Sequence, residues 1–279
     1  MNYVAAFDGL RFSNSTLNYA LFFSEFSGYP LTGLFLEDIS YKGYPVEKIL
    51  ATEAKPEKLI EEMEEKDRKK REDAVNKFQS LASKRGVDYS TVKSHNIAIQ
   101  EIRHQSMFSD LIIIDKKESF TRQKQDIPTR FIKDVISTIH SPVVIVPQTY
   151  RPIDKTVFLY DGSPASIHAL KMYGSHFRDF DFPLELIYVD NQKSGKKNSL
   201  PANKEIRKYL KMNFSNIQYT LLHGNAEEEI SGYLKNNMEN ELVVLGAYKR
   251  SELSRWFKSS MADILMKETN APLFIANSI

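Results

Sequence analysis

The 279-residue chain contains no cysteine. That excludes disulfides, thiolate metal centres and cysteine nucleophiles, and it suits a reducing compartment. Charge of one sign is also missing: 38 Lys+Arg stand against 36 Asp+Glu, a formal +2. No whole-molecule field therefore draws the chain to nucleic acid or to an anionic membrane. Long apolar runs are absent, since Tyr19–Phe23 and Leu111–Ile114 fall far short of the ~20 residues needed to span a bilayer. The first residues, Met1 to Asp8, have no basic region and reach a carboxylate early, so no signal peptide is expected. His-Glu-x-x-His, the Gly-x4-Gly-Lys-Ser/Thr phosphate loop and the Gly-x-Ser-x-Gly elbow do not occur. No catalytic residue and no metal ligand is assigned. The expectation is a cytoplasmic protein that engages neither nucleic acid nor membrane.

What is present is an average globular composition, 42 % hydrophobic and 27 % charged, on a chain long enough for two domains. The chain also repeats itself. Val4-Ala5-Ala6-Phe7-Asp8-Gly9 returns as Val157-Phe158-Leu159-Tyr160-Asp161-Gly162, and Tyr29-Pro30-Leu31 returns as Phe182-Pro183-Leu184, both 153 positions on. This common offset predicts a register without gaps through strand, helix and second strand. Asp110–Asp115 matches Glu241–Gly246 at an offset of 131, and Ser141–Val146 matches Ala271–Ala276 at 130. Four matches in one order indicate a tandem duplication. The first copy carries the extra length, in Tyr41–Pro56 and the helix after it.

Each copy reads β-α-β-α-β-α-β-α-β. The strands are short, apolar and β-branched without clean alternation, which suits a parallel sheet covered on both faces. The expected fold is α/β: two tandem sandwiches, each with a five-stranded parallel sheet, spanning 1–148 and 154–279. A short polar linker between Pro147 and Pro152 joins them. The apolar last strands, Val143–Val146 and Leu273–Ala276, need their edges covered. That predicts packing about a pseudo-two-fold axis, so that one chain is its own pseudo-dimer; a homodimer of the whole chain stays open.

Two segments stand apart. Glu57–Lys84 places acidic residues ahead of basic ones at helical spacing. It reads as a solvated surface helix or as a partner-docking arm, dispensable to the core. Asn191–Asn203, with Lys193, Lys196 and Lys197, reads as a loop, with phosphate-seeking as the sharper alternative. His95 and His223 end the third strands of the two copies without metal-ligand spacing, as satisfied strand-end residues. Trp256-Phe257 either packs on the adjacent helix or closes over a ligand.

Open parallel sheets bind ligands beyond the carboxyl ends of their strands, where strand order reverses. In the second copy those ends are Asp161-Gly162, Val189-Asp190 and Gly246. A loop of about a dozen residues follows Gly246, and Ser259-Ser260 then open a helix. Amides, dipole and two hydroxyls would make an anion site there; a simple N-cap is the other reading.

These motifs resemble the universal stress protein family. The resemblance rests on Asp-Gly-Ser after strand one, Leu-Ile-Tyr-Val-Asp in strand two, His-Gly-Asn-Ala after strand three, and Val-Val-Leu-Gly leading to Ala-Pro-Leu-Phe-Ile. It covers nearly all of the second copy and the ends of the first. It implies a Rossmann-like fold of the adenine nucleotide alpha hydrolase type and, in one branch, ATP bound through Gly-x2-Gly-x9-Gly-Ser/Thr. Laid on this chain, that loop starts at Gly246. Its second glycine becomes Lys249, its third Ser259, and its hydroxyl Ser260. Two of three glycines are lost, with Lys249 and Arg250 as compensating charge. The nucleotide-contacting Asp falls on Asp161, beside Gly162, and the adenine-side valine on Val189. The first copy has Asp115 at the glycine and no glycine in 116–129, a degenerate structural lobe. The implied function is a stress-response regulator binding ATP or a related adenine nucleotide, with magnesium only as its companion. The alternatives are a slow ATPase or nucleotide hydrolase using Asp161 as base or metal ligand, and a ligand-free protein-interaction module.

Overall fold

A computed structural model describes residues 1–37, 56–121, 124–190, 203–237, 240–247 and 261–277. The first half contributes β1 (Tyr3–Asp8), α1 (Asn14–Ser27), β2 (Leu31–Leu36), α2 (Pro56–Lys84), β3 (Tyr89–Ser94), α3 (Ala98–Ser106), β4 (Leu111–Asp115), α4 (Arg130–Thr138) and β5 (Val143–Val146). The second contributes β6 (Lys155–Leu159), α5 (Pro164–Phe177), β7 (Leu184–Asp190), α6 (Asn203–Asn213), β8 (Ile217–His223), α7 (Ala226–Asn237), β9 (Glu241–Ala247), α8 (Met261–Glu268) and β10 (Leu273–Asn277).

All ten strands form one sheet in the order β3-β2-β1-β4-β5-β10-β9-β6-β7-β8. Each half is a five-stranded parallel sheet, and the second half repeats the first in mirror order. The two halves join where β5 and β10 pair antiparallel, Val143 opposite Ile275 and Ile145 opposite Leu273. The expected fold is present, and its two last strands cover each other's edges. Alternate residues of β1 show why these strands lack a polar face. Tyr3, Ala5 and Phe7 enter a core with α1, α2, α5 and α6; Val4 and Ala6 enter a second core with α3, α4, α7 and α8. The result is a three-layer sandwich whose two cores both run across the seam.

The seam is reinforced on both faces. On one, Phe22, Phe23 and Phe26 of α1 meet Phe177, Phe180 and Phe182, with Phe23 and Phe177 centroids 5.0 Å apart. On the other, each half caps a helix of its neighbour. Buried Lys116 donates to the Met266 and Thr269 carbonyls at the end of α8, both at 2.9 Å. Asn277 donates to the Ile136 carbonyl near the end of α4 at 2.5 Å. Both satisfy orphan carbonyls, and the lysine also complements the helix dipole. The linker, expected as a short polar stretch, packs against the body of the protein. Tyr150 packs edge-on to Tyr19 at 4.7 Å, Ile153 is buried, and the Arg151 amide donates to the Tyr19 hydroxyl at 3.2 Å.

The gapless register is corrected in one respect. Strands β1 and β2 keep the offset of 153 to β6 and β7, but the helix caps Ser13 and Ser163 are 150 apart. Counted from Asp8 and its register equivalent Asp161, the run before α1 is three residues longer than the run before α5, and the loop after it three shorter. Strand ends are fixed by the ladder, whereas a helix slides along its own axis when both flanking loops compensate.

His176 on α5 is buried at the seam beside Tyr3. Its Nδ1 lies 3.4 Å from the Tyr3 hydroxyl. Burial pushes its pKa down to about 4, with Asp110 opposing and the N-terminal ammonium assisting. Folded His176 is neutral, whereas the unfolded chain takes up a proton below about pH 6.5. Its contribution is thus complete above pH 6.5 and is lost as pH falls towards 4. Urea unfolding should show a loss of about 2 kcal/mol from this residue between pH 7 and pH 5. The His176→Phe variant should lose that much less over the same interval; an unaltered pH dependence would refute the assignment.

Candidate functional site

Strand order reverses between β1 and β4 in the first half and between β6 and β9 in the second. The carboxyl ends of these strands frame two equivalent crevices with different contents.

In the second crevice, Asp161 follows β6 and accepts the Ser163 amide on Oδ1 at 2.9 Å. The turn requires Gly162, whose φ is 78°, a conformation costly for other residues. Ser163 caps α5 by accepting the Ser166 amide at 3.2 Å, with Pro164 opening the helix. The expected residues Asp161, Gly162 and Gly246 therefore come together around the start of α5. Gly246 has a definite steric role: a Cβ there would lie 2.6 Å from the Ala165 carbonyl carbon and oxygen and 2.9 Å from the Ser166 amide nitrogen. The glycine lets β9 touch the backbone of the first helical turn.

Val189 is fully buried, a packed floor and not an accessible wall. Beside it, Asp190 pairs with His223 across β7–β8, and the Gly224 amide donates to the Asp190 carbonyl at 3.3 Å. Asn225 caps α7 through the Glu227 amide at 2.9 Å. Tyr160, adjacent to Asp161, has its phenol pushed up to about 12, by burial first and by Asp161 second. Sequence reasoning passed over Tyr160 because an aromatic in a core strand reads as packing. Lys249, Ser259 and Ser260 lie outside the described residues, as do Trp256-Phe257 and the 191–202 stretch; α8 begins at Met261, directly after the paired serines.

The first crevice begins alike: Asp8 accepts the Leu10 amide on Oδ1 at 2.8 Å. It then diverges. Asp115, at the position of Gly246, is buried. It accepts the Ser13 hydroxyl at 2.8 Å and the Lys117 amide at 2.9 Å. A side chain at 115 cannot share space with a helix backbone; here α1 starts three residues later and its cap serine bonds the carboxylate. Glu118 is buried in the same place. Burial raises its pKa well above the usual carboxylate range, and Asp8 and Asp115 push in the same direction. Asp8 and Asp115 hold carboxylates here that a phosphate would meet as like charges. His95 is paired, with Nδ1 2.9 Å from Glu37 Oε2. Among the described residues, no group of three or more His, Cys, Asp or Glu is arranged to hold a metal.

A second buried polar cluster lies at the opposite ends of the strands. Glu185 accepts Lys155 Nζ and the Tyr233 hydroxyl, both at 2.6 Å, and the Thr220 hydroxyl. These bonds outweigh burial and hold its carboxyl below the usual range. The partners tie β6, β7, β8 and α7 together, a structural role.

Gly246→Ala should lower stability by about 1–3 kcal/mol, the usual cost of overpacking, because the atoms it meets are backbone. Thermal or urea unfolding measures this, and an unchanged midpoint would contradict the close approach.

No protein-family model matches the chain. A universal stress protein of Synechocystis sp. is 27 % identical over 168 residues, 59 % of this chain and 56 % of that relative. The chain thus spans about half the length of the curated relative it matches. Among solved structures, a universal stress protein from Archaeoglobus fulgidus superposes with a TM-score of 0.72 at 14 % identity, over 99 % of this chain and 98 % of that one. A putative universal stress protein from Pseudomonas aeruginosa gives 0.60 at 14 % identity, over 99 % and 92 %. At such identities the superpositions establish the fold alone. The expected resemblance is met in sequence and in a fold shared across the whole chain.

Proposed function

We propose that this chain, similar in sequence and fold to universal stress proteins, is a tandem regulator of that kind. Its units are 1–148 and 154–279, and it binds ATP or a related adenine nucleotide in the second unit alone. The observation that carries this reading is the contrast at one equivalent position. Gly246 sets backbone against the backbone of the first turn of α5, whereas Asp115 places a buried carboxylate among Asp8 and Glu118. A polyphosphate needs amides, hydroxyls or cations and a backbone free of side chains. The second crevice carries no side chain at 246, which supports this reading, and Asp161 is the proposed acceptor for a donor group of the nucleoside. Lys249, Ser259 and Ser260 follow in sequence as the groups to meet the phosphates. Magnesium enters only as the companion of the nucleotide. The role is regulation by nucleotide-dependent association in the cytoplasm.

Titration with a fluorescent ATP analogue tests the reading. The parent protein should bind saturably. Lys249→Ala should weaken binding by about 1–2 kcal/mol, the worth of one charge-assisted contact. Asp115→Gly, in the other crevice, should leave affinity unchanged. Equal weakening by both variants would put the ligand elsewhere, and no binding by the parent would leave a ligand-free interaction module. Magnesium-dependent phosphate release abolished by Asp161→Asn, which preserves the acceptor of the turn, would make the protein a hydrolase instead.

A further inference from the structure

The helix α2 is 29 residues long, against 11 for its counterpart α6. Only its C-terminal half belongs to the core: Ala74, Val75, Phe78 and Ala82 are buried. Arg71 marks the level at which the helix passes the strand ends. Its Nε lies 3.5 Å from Glu37, just beyond β2, and its Cγ lies 3.0 Å from where a Cβ of Gly9 would sit, just beyond β1. The residues before Arg71 continue the helix for about 20 Å at 1.5 Å per residue, with Leu59, Ile60, Met63 and Asp67 half-buried along one face and the others from Glu57 to Lys70 exposed. Between Glu57 and Lys70 every described residue is exposed or half-exposed.

The charges on this overhang are sorted. Residues 57–65 hold five acidic side chains and one basic, and residues 66–71 hold five basic and one acidic. The order complements the helix's own dipole only at its start, since the basic block falls in mid-helix. Contacts within the helix, such as Arg68 with Glu65, join exposed groups and contribute little each. Sorted blocks have a second consequence: two such helices side by side repel when parallel and attract when antiparallel. Turned about a two-fold axis through Glu65, two copies bring Glu61 and Glu62 level with Lys69 and Arg68, all within about 60° of Glu65 on one helix face, and Glu65 alone meets its own copy. The two-fold brings both complementary block pairs into register at once.

We infer that the overhanging half of α2 is an interface for a second copy of this chain, paired antiparallel through its acidic and basic blocks. This lies beyond the nucleotide reading and does not depend on it. Because β5 and β10 already occupy each other inside the chain, the assembly is a dimer of pseudo-dimers. The contact is short and electrostatic, so it forms in low salt and dissociates as the ionic strength rises.

Sedimentation velocity of the full chain at low and high salt tests it. The parent should be dimeric at low salt and monomeric at about 0.5 M, where screening is short-ranged. The quadruple reversal Glu61→Lys, Glu62→Lys, Glu64→Lys and Glu65→Lys should be monomeric at both. So should the complementary reversal Lys66→Glu, Arg68→Glu, Lys69→Glu and Lys70→Glu. An equimolar mixture of the two should restore a dimer, which a folding defect would not do. The absence of native cysteine allows a geometric check: with a short thiol cross-linker, Glu65→Cys, at the two-fold, should form covalent dimers, whereas Glu57→Cys, about 24 Å from its copy along the helix at 1.5 Å per residue, should not. A parent protein monomeric at low salt, a dimer indifferent to charge reversal, or equal cross-linking at both positions would overturn the inference.

Discussion

Backbone pairing of Val143–Ile145 with Leu273–Ile275 turns two five-stranded sheets into one, and the rest of the molecule follows from that seam. Parallel sheets need both faces covered, and an apolar last strand also needs its edge covered. Here each half supplies the edge of the other. The two-fold relation then sets α1 beside α5 on one face, where their phenylalanines interlock, and α4 beside α8 on the other, linked by Lys133 to Asp263 at 3.7 Å. The exchanged caps, Lys116 on α8 and Asn277 on α4, are possible only because the strand ends are held in register. The ammonium of Lys116 sits where burial lowers its pKa, and the carbonyls it meets are its compensation.

Duplication left two equivalent crevices, and one substitution separates them. A glycine at 246 permits contact between strand end and helix backbone. An aspartate at 115 is accompanied by a longer loop, a retreat of α1 by three residues and a hydroxyl donated from the cap serine. Once a carboxylate is buried there, Asp8 and Glu118 join it in a setting where the Glu118 proton is held tightly. The first half thereby gains a buried acidic cluster where the second sets glycine against helix backbone, and the difference between the halves at this position is electrostatic.

The helix α2 belongs to the same logic of unequal halves. Its lower turns repeat what α6 does, packing Phe78 against Phe7 and Phe35. Gly33 on β2 makes room for that ring, since a Cβ there would come within 2.8 Å of it. The upper turns have no counterpart and no core to enter. Leu59, Ile60 and Met63 keep one face of those turns half-buried, and the opposite face carries the sorted charges, which suit a partner beyond the domain.

The sequence by itself determined the duplication, the parallel α/β order, and the Asp-Gly turns at both switch points. Those features are local or repeated: apolar strand spacing, cap serines at 13 and 163, and glycines before helices all act within a few residues. The last strands already pointed to a pseudo-two-fold seam; the tertiary structure alone decided its antiparallel register, why 246 is glycine, and what fills the first crevice. Gly246 reads in sequence as a phosphate-loop position, yet its nearest neighbours are the backbone atoms of Ala165 and Ser166, some eighty residues earlier. The burial of Asp115 with Glu118, the neutral His176 beside Tyr3 and the reach of Lys116 to α8 are likewise long-range. A charged or polar residue in sequence announces its chemistry but not its dielectric or its partner, and both are set by the chain that folds over it.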